Sequence, residues 1–321
     1  MAKRDLVAEI AAKKRREQQD TAGISRQFDM LRRQWVKAKA GDSVTDDYFL
    51  IRAVTLLEVF TRRWVAALID HGDPFVERAG KLMSDFKYDF GLVRRIGNVI
   101  TLGDVIGHGI AVNKYGQIMD IFQDLLAADV LSLLKTSVYV HRYLMDQLLY
   151  ADSDERRAGA VIVKDTDKMC KRLNRLFDLR HILCHEVPRN EVYDRREITG
   201  LLDAADQFAA AMNEVLYGML FPNAPTTYPG MAAQVSAELE ENERLLADVV
   251  SRLDGTLNRK ALRLLNKANK RWMEFRDAYA EYRSTGAGQV TKEWLRLLTA
   301  NRLTESHINE LMQDIPVYDD E

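Results

Sequence analysis

Apolar residues recurring at intervals of three and four are the main regularity along the chain. Between Asp46 and Asp70 they cover most of the helical circumference, which predicts one long helix running through a core rather than lying on its surface. Thr45 is placed to cap that helix, and the acids at 46 and 47 suit the positive end of its dipole. From Met169 to Glu186, the positions Leu173, Leu176, Phe177, Leu179, Leu183 and Cys184 trace a second helix, which Pro188 stops. Helices are expected near 117–127, 129–149, 165–186 and 195–220, with His141 in a structural role at a helix boundary. Extended alternation of apolar and polar residues is missing, so the expected fold class is all-α.

The breaks divide the chain. Gly91, Gly97, Gly103, Gly107, Gly109 and Gly116 read as interruptions between short helices. Gly107-His108-Gly109 belongs to neither a Lys-Ser/Thr phosphate loop nor a Gly-x-Gly-x-x-Gly fingerprint. Three prolines between Phe221 and Gly230 mark an interdomain linker. After it, Glu238–Leu253 is heptad-like, Gly255 breaks it, Leu257–Tyr282 forms another helix, and a loop at 284–289 precedes two short closing helices. Residues 1–42 carry Lys13-Lys-Arg-Arg16 and Arg32-Arg33, with Leu6, Ile10, Phe28, Leu31 and Trp35 at amphipathic spacing. They read as a charged helical arm, either a solvated face or a holder of phosphates. The expected organisation is an arm at 1–42, a helical bundle at 43–220, a linker at 221–230 and a smaller helical domain at 231–321.

Composition narrows the classes. With 321 residues and 47% hydrophobic content, the chain can bury one large core or two moderate ones. A net charge of −2 gives no global basic field, so local patches must hold any nucleic acid. No uncharged apolar run is long enough to span a membrane, and Met1–Ile10 lacks the apolar core of a signal peptide. Cys170 and Cys184 lie on one predicted helix, separated by about 21 Å at the helical rise, too far to bridge. A reduced, cytoplasmic protein is expected.

Candidate chemistry concentrates in Arg180-His181-Ile182-Leu183-Cys184-His185. On a helix His181 and His185 share a face one turn apart and Arg180 lies on its shoulder, so an arginine and a histidine can converge on one phosphate. The plain alternative is a surface histidine near a helix C-terminus, and spacing alone is weak because Arg302 and His307 repeat it, with Leu303 after the arginine. A zinc reading of His181-x3-His185 has Ile182 where a zinc protease places Glu, and no third ligand at a suitable spacing; neither metal nor cofactor is expected. Glu58 interrupts the apolar run of the first helix, where a carboxylate is costly unless paired. A Glu58–Arg62 ion pair four residues apart is its plain structural reading.

Together the two segments resemble the HEPN superfamily of helical-bundle ribonucleases. Glu58-x3-Arg62 matches that family's Glu-x3-Lys/Arg motif, and Arg180-His181-x3-His185 matches its Arg-x4-6-His motif, over residues 43 to 220 or so. The resemblance implies that Arg180 and His185 are catalytic, with His181 as the polar neighbour and Glu58 in support. It also implies a homodimer with one composite site, cleaving RNA without metal. The segment from about 73 to 160 departs from the pattern. A second resemblance lies beyond the linker. Trp272, Phe275, Arg276, Asp277 and Ala278, with Gly286, Gly288 and Leu298-Thr-x-x-Arg302, are similar to the LprI lysozyme-inhibitor domain. That family has a cysteine where Ala280 stands, and residues 231–321 have none, so the resemblance implies the fold and partner recognition rather than exported inhibition. Arg276 and Asp277 are expected to form a structural charge pair. The combined expectation is an endoribonuclease with a toxin or abortive-infection role, met by RNA and by an antitoxin or phage-derived trigger. Its rival is a non-catalytic HEPN-like scaffold binding RNA, nucleotide or protein.

Overall fold

The computed structural model describes residues 6–16, 21–38, 43–83, 94, 96–97, 100–140, 159–186, 192–287 and 289–313. These hold twelve α-helices: α1 Leu6–Arg16, α2 Thr21–Lys37, α3 Ser43–His71, α4 Phe75–Arg78, α5 Leu102–Gly109, α6 Tyr115–Leu126, α7 Val130–Thr136, α8 Thr166–His185, α9 Arg195–Leu220, α10 Tyr228–Asp254, α11 Arg259–Ser284 and α12 Gln289–Gln313. Among the described residues there is no strand, only isolated bridges at Ile96–Ile100 and Val138–Val161. The fold is all-α. None of the described helices is long and apolar enough to cross a membrane. The chain divides into two compact units after Pro222.

In the first unit α3 is the spine. Leu50, Ala53, Val54, Leu57, Phe60, Val65 and Leu68 are fully enclosed, and α2, α5, α8 and α9 all pack on it. The helix begins at Ser43, so Thr45 lies inside the first turn instead of capping it. Long-range partners organise that turn: Arg195 bonds both Asp46 oxygens at 3.0 and 3.1 Å, and the Tyr193 hydroxyl donates to Asp47 at 2.6 Å. The arginine also lies over the Trp35 ring, 4.4 Å from its centroid.

Several expectations change here. The region 1–42 is not simply an appended arm, because Phe28, Leu31 and Trp35 of α2 join the main core. Arg32 of α2 reaches Asp203 and Asp206 of α9 at 2.8 and 3.2 Å, and Lys14 of α1 reaches Asp104 at 2.7 Å. The helix expected over 129–149 ends at Thr136. Ser137 and Tyr139 then exchange backbone hydrogen bonds with residues 159–162, a pairing that local periodicity cannot reveal. His141 lies outside the described residues. Gly103 and Gly107 are not breaks but sit inside α5, buried on α3. A Cβ at Gly103 would lie 2.2 Å from the Ala66 carbonyl oxygen, and one at Gly107 would lie 2.6 Å from that of Arg62. The two glycines let the backbones touch.

The second unit is built on α12, against which α10 and α11 pack. Helix α10 starts ten residues before the heptad pattern suggests, taking up Pro229 and Gly230 from the linker. Thr227 caps it, and proline is tolerated in a first turn whose N–H groups have no intrahelical acceptor. The two short closing helices are one, since nothing between Gln289 and Gln313 breaks the ladder. Arg276, only 5% exposed, is held by Asp277 at 2.8 Å, Glu243 at 2.7 Å and Thr304 at 3.2 Å. His307 stacks on Trp272 with centroids 4.2 Å apart and its Nε2 lies 2.9 Å from the Asn269 side-chain oxygen. Burial outweighs the attraction of Glu310 and holds its imidazole below the ordinary value of 6.5.

Gly103→Ala should cost about 1–3 kcal/mol in chemical unfolding, because backbone must move to admit the methyl group. Gly116→Ala, with open space around its Cβ position, should be neutral or slightly stabilising. His307 makes the second prediction. Its folded pKa is depressed, so the unfolded chain takes the proton first, and the stability it contributes is full above pH 6.5 and falls as pH drops below that value. Thermal melts of the full chain should lose this part of the acid slope in His307→Gln.

Candidate functional site

Helix α8 carries the candidate chemistry, and its placement follows from its ends and its apolar stripe. Asp165 caps it by accepting from the Lys168 backbone N–H at 2.9 Å. Met169, Leu173, Leu176, Phe177 and Leu179 are buried, fixing α8 against α3 and α9. The stripe fades a turn before the spacing suggests: Leu183 is half-buried and Cys184 exposed. The helix closes at His185 with the Glu186 N–H on the Ile182 carbonyl, while Pro188 lies outside the described residues.

Arg180 leaves α8 toward α3, where its Nη2 lies 3.4 Å from Glu58 Oε1. The side chains are 27% and 17% exposed, so the ion pair is partly withdrawn from water. This replaces the local Glu58–Arg62 pair as the partnership of Glu58. Arg62, one turn along, lines a cavity with residues of α5 and buries its Nε without a hydrogen-bond partner among the described residues. His181 and His185 are exposed, their ring centroids 5.1 Å apart. Among the described residues neither imidazole makes a hydrogen bond or ion pair. The structure therefore joins Glu58 to Arg180 and pairs the two histidines, without joining the pairs by a contact.

One supporting residue has no signature in the sequence. Arg175 of α8 donates to the Val192 carbonyl at 2.6 Å and to Glu197 at 3.1 Å, tying the start of α9 back to α8. The other Arg-x4-His pair diverges: Arg302 is exposed, and His307 is turned onto Trp272. Cys170 and Cys184 are both free, Cys170 lying 3.3 Å from the Tyr115 hydroxyl. Burial pushes that hydroxyl's pKa up, with Cys170 adding to the effect. No group of three or more His, Cys, Asp or Glu able to hold a metal occurs among the described residues.

A guanidinium has five N–H donors, and the Glu58 contact occupies one edge only. The arrangement thus offers an anchored cation for an anion and, on the same helix, two imidazoles able to move protons. Residues 222–311 match the family described as Lysozyme inhibitor LprI, so the second unit is an LprI-like domain. Comparisons with curated proteins and with solved structures gave no match.

The ion pair itself is testable without any activity. A double-mutant cycle of Glu58→Gln and Arg180→Gln should give a coupling of about 0.5–1.5 kcal/mol in urea unfolding, as for a partly buried pair. The cycle of Glu58→Gln with Arg62→Gln should give a coupling near zero.

Proposed function

We propose that the chain is a metal-independent endoribonuclease of the HEPN type acting on RNA in the cytoplasm, with Arg180 and His185 as catalytic residues. The observation that carries this reading is the Glu58–Arg180 ion pair at 3.4 Å, which anchors a cation on the helix that carries an exposed histidine pair. Anchoring one edge of a guanidinium lowers the entropy lost when a phosphate binds the other. The substrate's 2′-oxygen attacks the adjacent phosphorus, its proton passes to one His185, and the 5′-oxygen leaves with a proton from a second His185. One chain offers a single His185, so the reading requires a homodimer whose motif helices face each other. Arg180 from each chain stabilises the charge growing on the phosphoryl oxygens. His181 orients the phosphate, and Glu58 orients Arg180.

In this reading the enzyme is a toxin or abortive-infection effector. The LprI-like domain recognises a protein partner, an antitoxin or a phage-derived trigger. A non-catalytic scaffold is favoured by one observation: neither imidazole has an orienting hydrogen bond among the described residues. The composite dimer supplies that partner if the catalytic reading holds.

An RNA-degradation assay on the full chain decides between them. Wild type should cut in EDTA and leave a 2′,3′-cyclic phosphate or 3′-phosphate, and a 2′-deoxy nucleotide before the cut should stop cleavage there. His185→Ala should abolish cutting with an unchanged melting temperature, and sedimentation should show a dimer. Cutting that survives in His185→Ala, or that needs a metal, would exclude this mechanism.

A further inference from the structure

Apart from the Arg180 site, the first unit contains a cavity of about 250 Å³ walled by α1, α3 and α5. Four full cations line it, Lys13 and Lys14 from α1 and Arg62 and Arg63 from α3, against two carboxylates, Asp70 and Asp104. The carboxylates are already engaged. Burial pushes the Asp104 carboxyl up, but Lys14 at 2.7 Å and the Thr101 backbone and hydroxyl outweigh it and hold it below its ordinary value. Asp70 accepts from the Gly103 N–H at 2.9 Å. His108, also on the wall, has its Nε2 3.4 Å from Glu9.

Two of these cations, on different helices, have no such partner. Arg62 makes no ion pair or hydrogen bond with any described residue, and its Nε is fully enclosed. Lys13, half-buried, likewise has no ion partner among the described residues. An enclosed guanidinium nitrogen without a partner, in a cavity that a second unpaired cation also lines, is costly in isolation, and an anion bound to both cations removes the cost. A carboxylate would neutralise one of them, whereas a doubly charged tetrahedral group neutralises both and matches the donor geometry of arginine. The volume admits a phosphorylated sugar or single nucleotide and is small for larger ligands.

We propose that this cavity is a binding site for the phosphate monoester group of a small ligand, held between Arg62 and Lys13. It is separate from the Arg180 site and does not depend on ribonuclease activity. Calorimetric titration of the full chain with inorganic phosphate and with adenosine 5′-monophosphate, at ionic strength fixed by potassium chloride, tests it. Saturable binding with a dissociation constant on the order of 1 mM or tighter is expected for at least one of the two. Phosphate matching the mononucleotide identifies the free ion as the ligand, and a tighter mononucleotide identifies a nucleotide. Binding should weaken roughly tenfold or more in Arg62→Gln and in Lys13→Gln, the loss of one charge-assisted contact. Lys13→Gln, at a half-buried position of α1, decides the matter if Arg62→Gln fails to fold. Arg180→Ala and His185→Ala should bind phosphate as wild type does, which separates this site from the proposed catalytic one. The proposal is overturned by no binding, by equal binding in Lys13→Gln, by loss of binding in Arg180→Ala, or by a dinucleotide with only an internal diester binding as tightly as the monoester.

Discussion

Helix α3 is enclosed on nearly every side and still carries charge, and the need to compensate that charge organises the first unit. Each ionised group on a buried helix costs free energy unless another element supplies its partner. Asp46 receives Arg195 from α9, Asp47 receives Tyr193 from the segment before it and Glu58 receives Arg180 from α8, while at the exposed end of the helix Asp70 accepts from the Gly103 N–H of α5. Three neighbouring helices, α5, α8 and α9, are thereby tied to one spine. The carboxylate–guanidinium contact adds a directional constraint to the close packing of α8 on α3.

The same constraint explains why the two candidate sites arise where they do. Glu58 and Arg62 stand one turn apart, close enough for a local pair, yet the tertiary packing separates their roles. Glu58 faces α8 and fixes Arg180. Arg62 faces α5, which the glycines at 103 and 107 bring so close that the guanidinium stem is enclosed without a partner. One side of α3 thus presents a satisfied ion pair beside two exposed imidazoles, and the other presents an unsatisfied cation in a cavity.

The LprI-like unit shows a different economy. Helix α11 buries only Arg276, Ala280 and Ser284 among its 26 residues, and a few polar contacts join Leu265 and Trp272 in attaching it to α10 and α12. Arg276 gathers Asp277, Glu243 and Thr304 and lies 5.7 Å from the Trp272 ring centroid. Ala280, where the resembled family carries cysteine, is 1% exposed and packs as a small apolar residue.

The all-α class, the long helix around residues 46–70, the helix from 166 to 185 and the pairing of His181 with His185 were legible because helical periodicity is a local property of the chain. The Trp-x-x-Phe-Arg-Asp-Ala segment was legible as LprI-like because its residues are contiguous. Local signals failed where sequence-distant partners decide. Glu58 chose Arg180, more than a hundred residues away, over Arg62 one turn away, since the buried face on which each side chain falls depends on which helices pack there. Gly103 and Gly107 looked like breaks because glycine lowers helix propensity, and only the approach of α3 shows that the missing side chains make room for its backbone. The helix expected to run to 149 stops at Thr136 because Ser137 and Tyr139 bond residues 159–162. Sequence by itself determined the helical class, the long helices and the candidate residues; the tertiary structure alone decided which charges meet, because ion pairing between helices is a property of their packing and not of spacing along the chain.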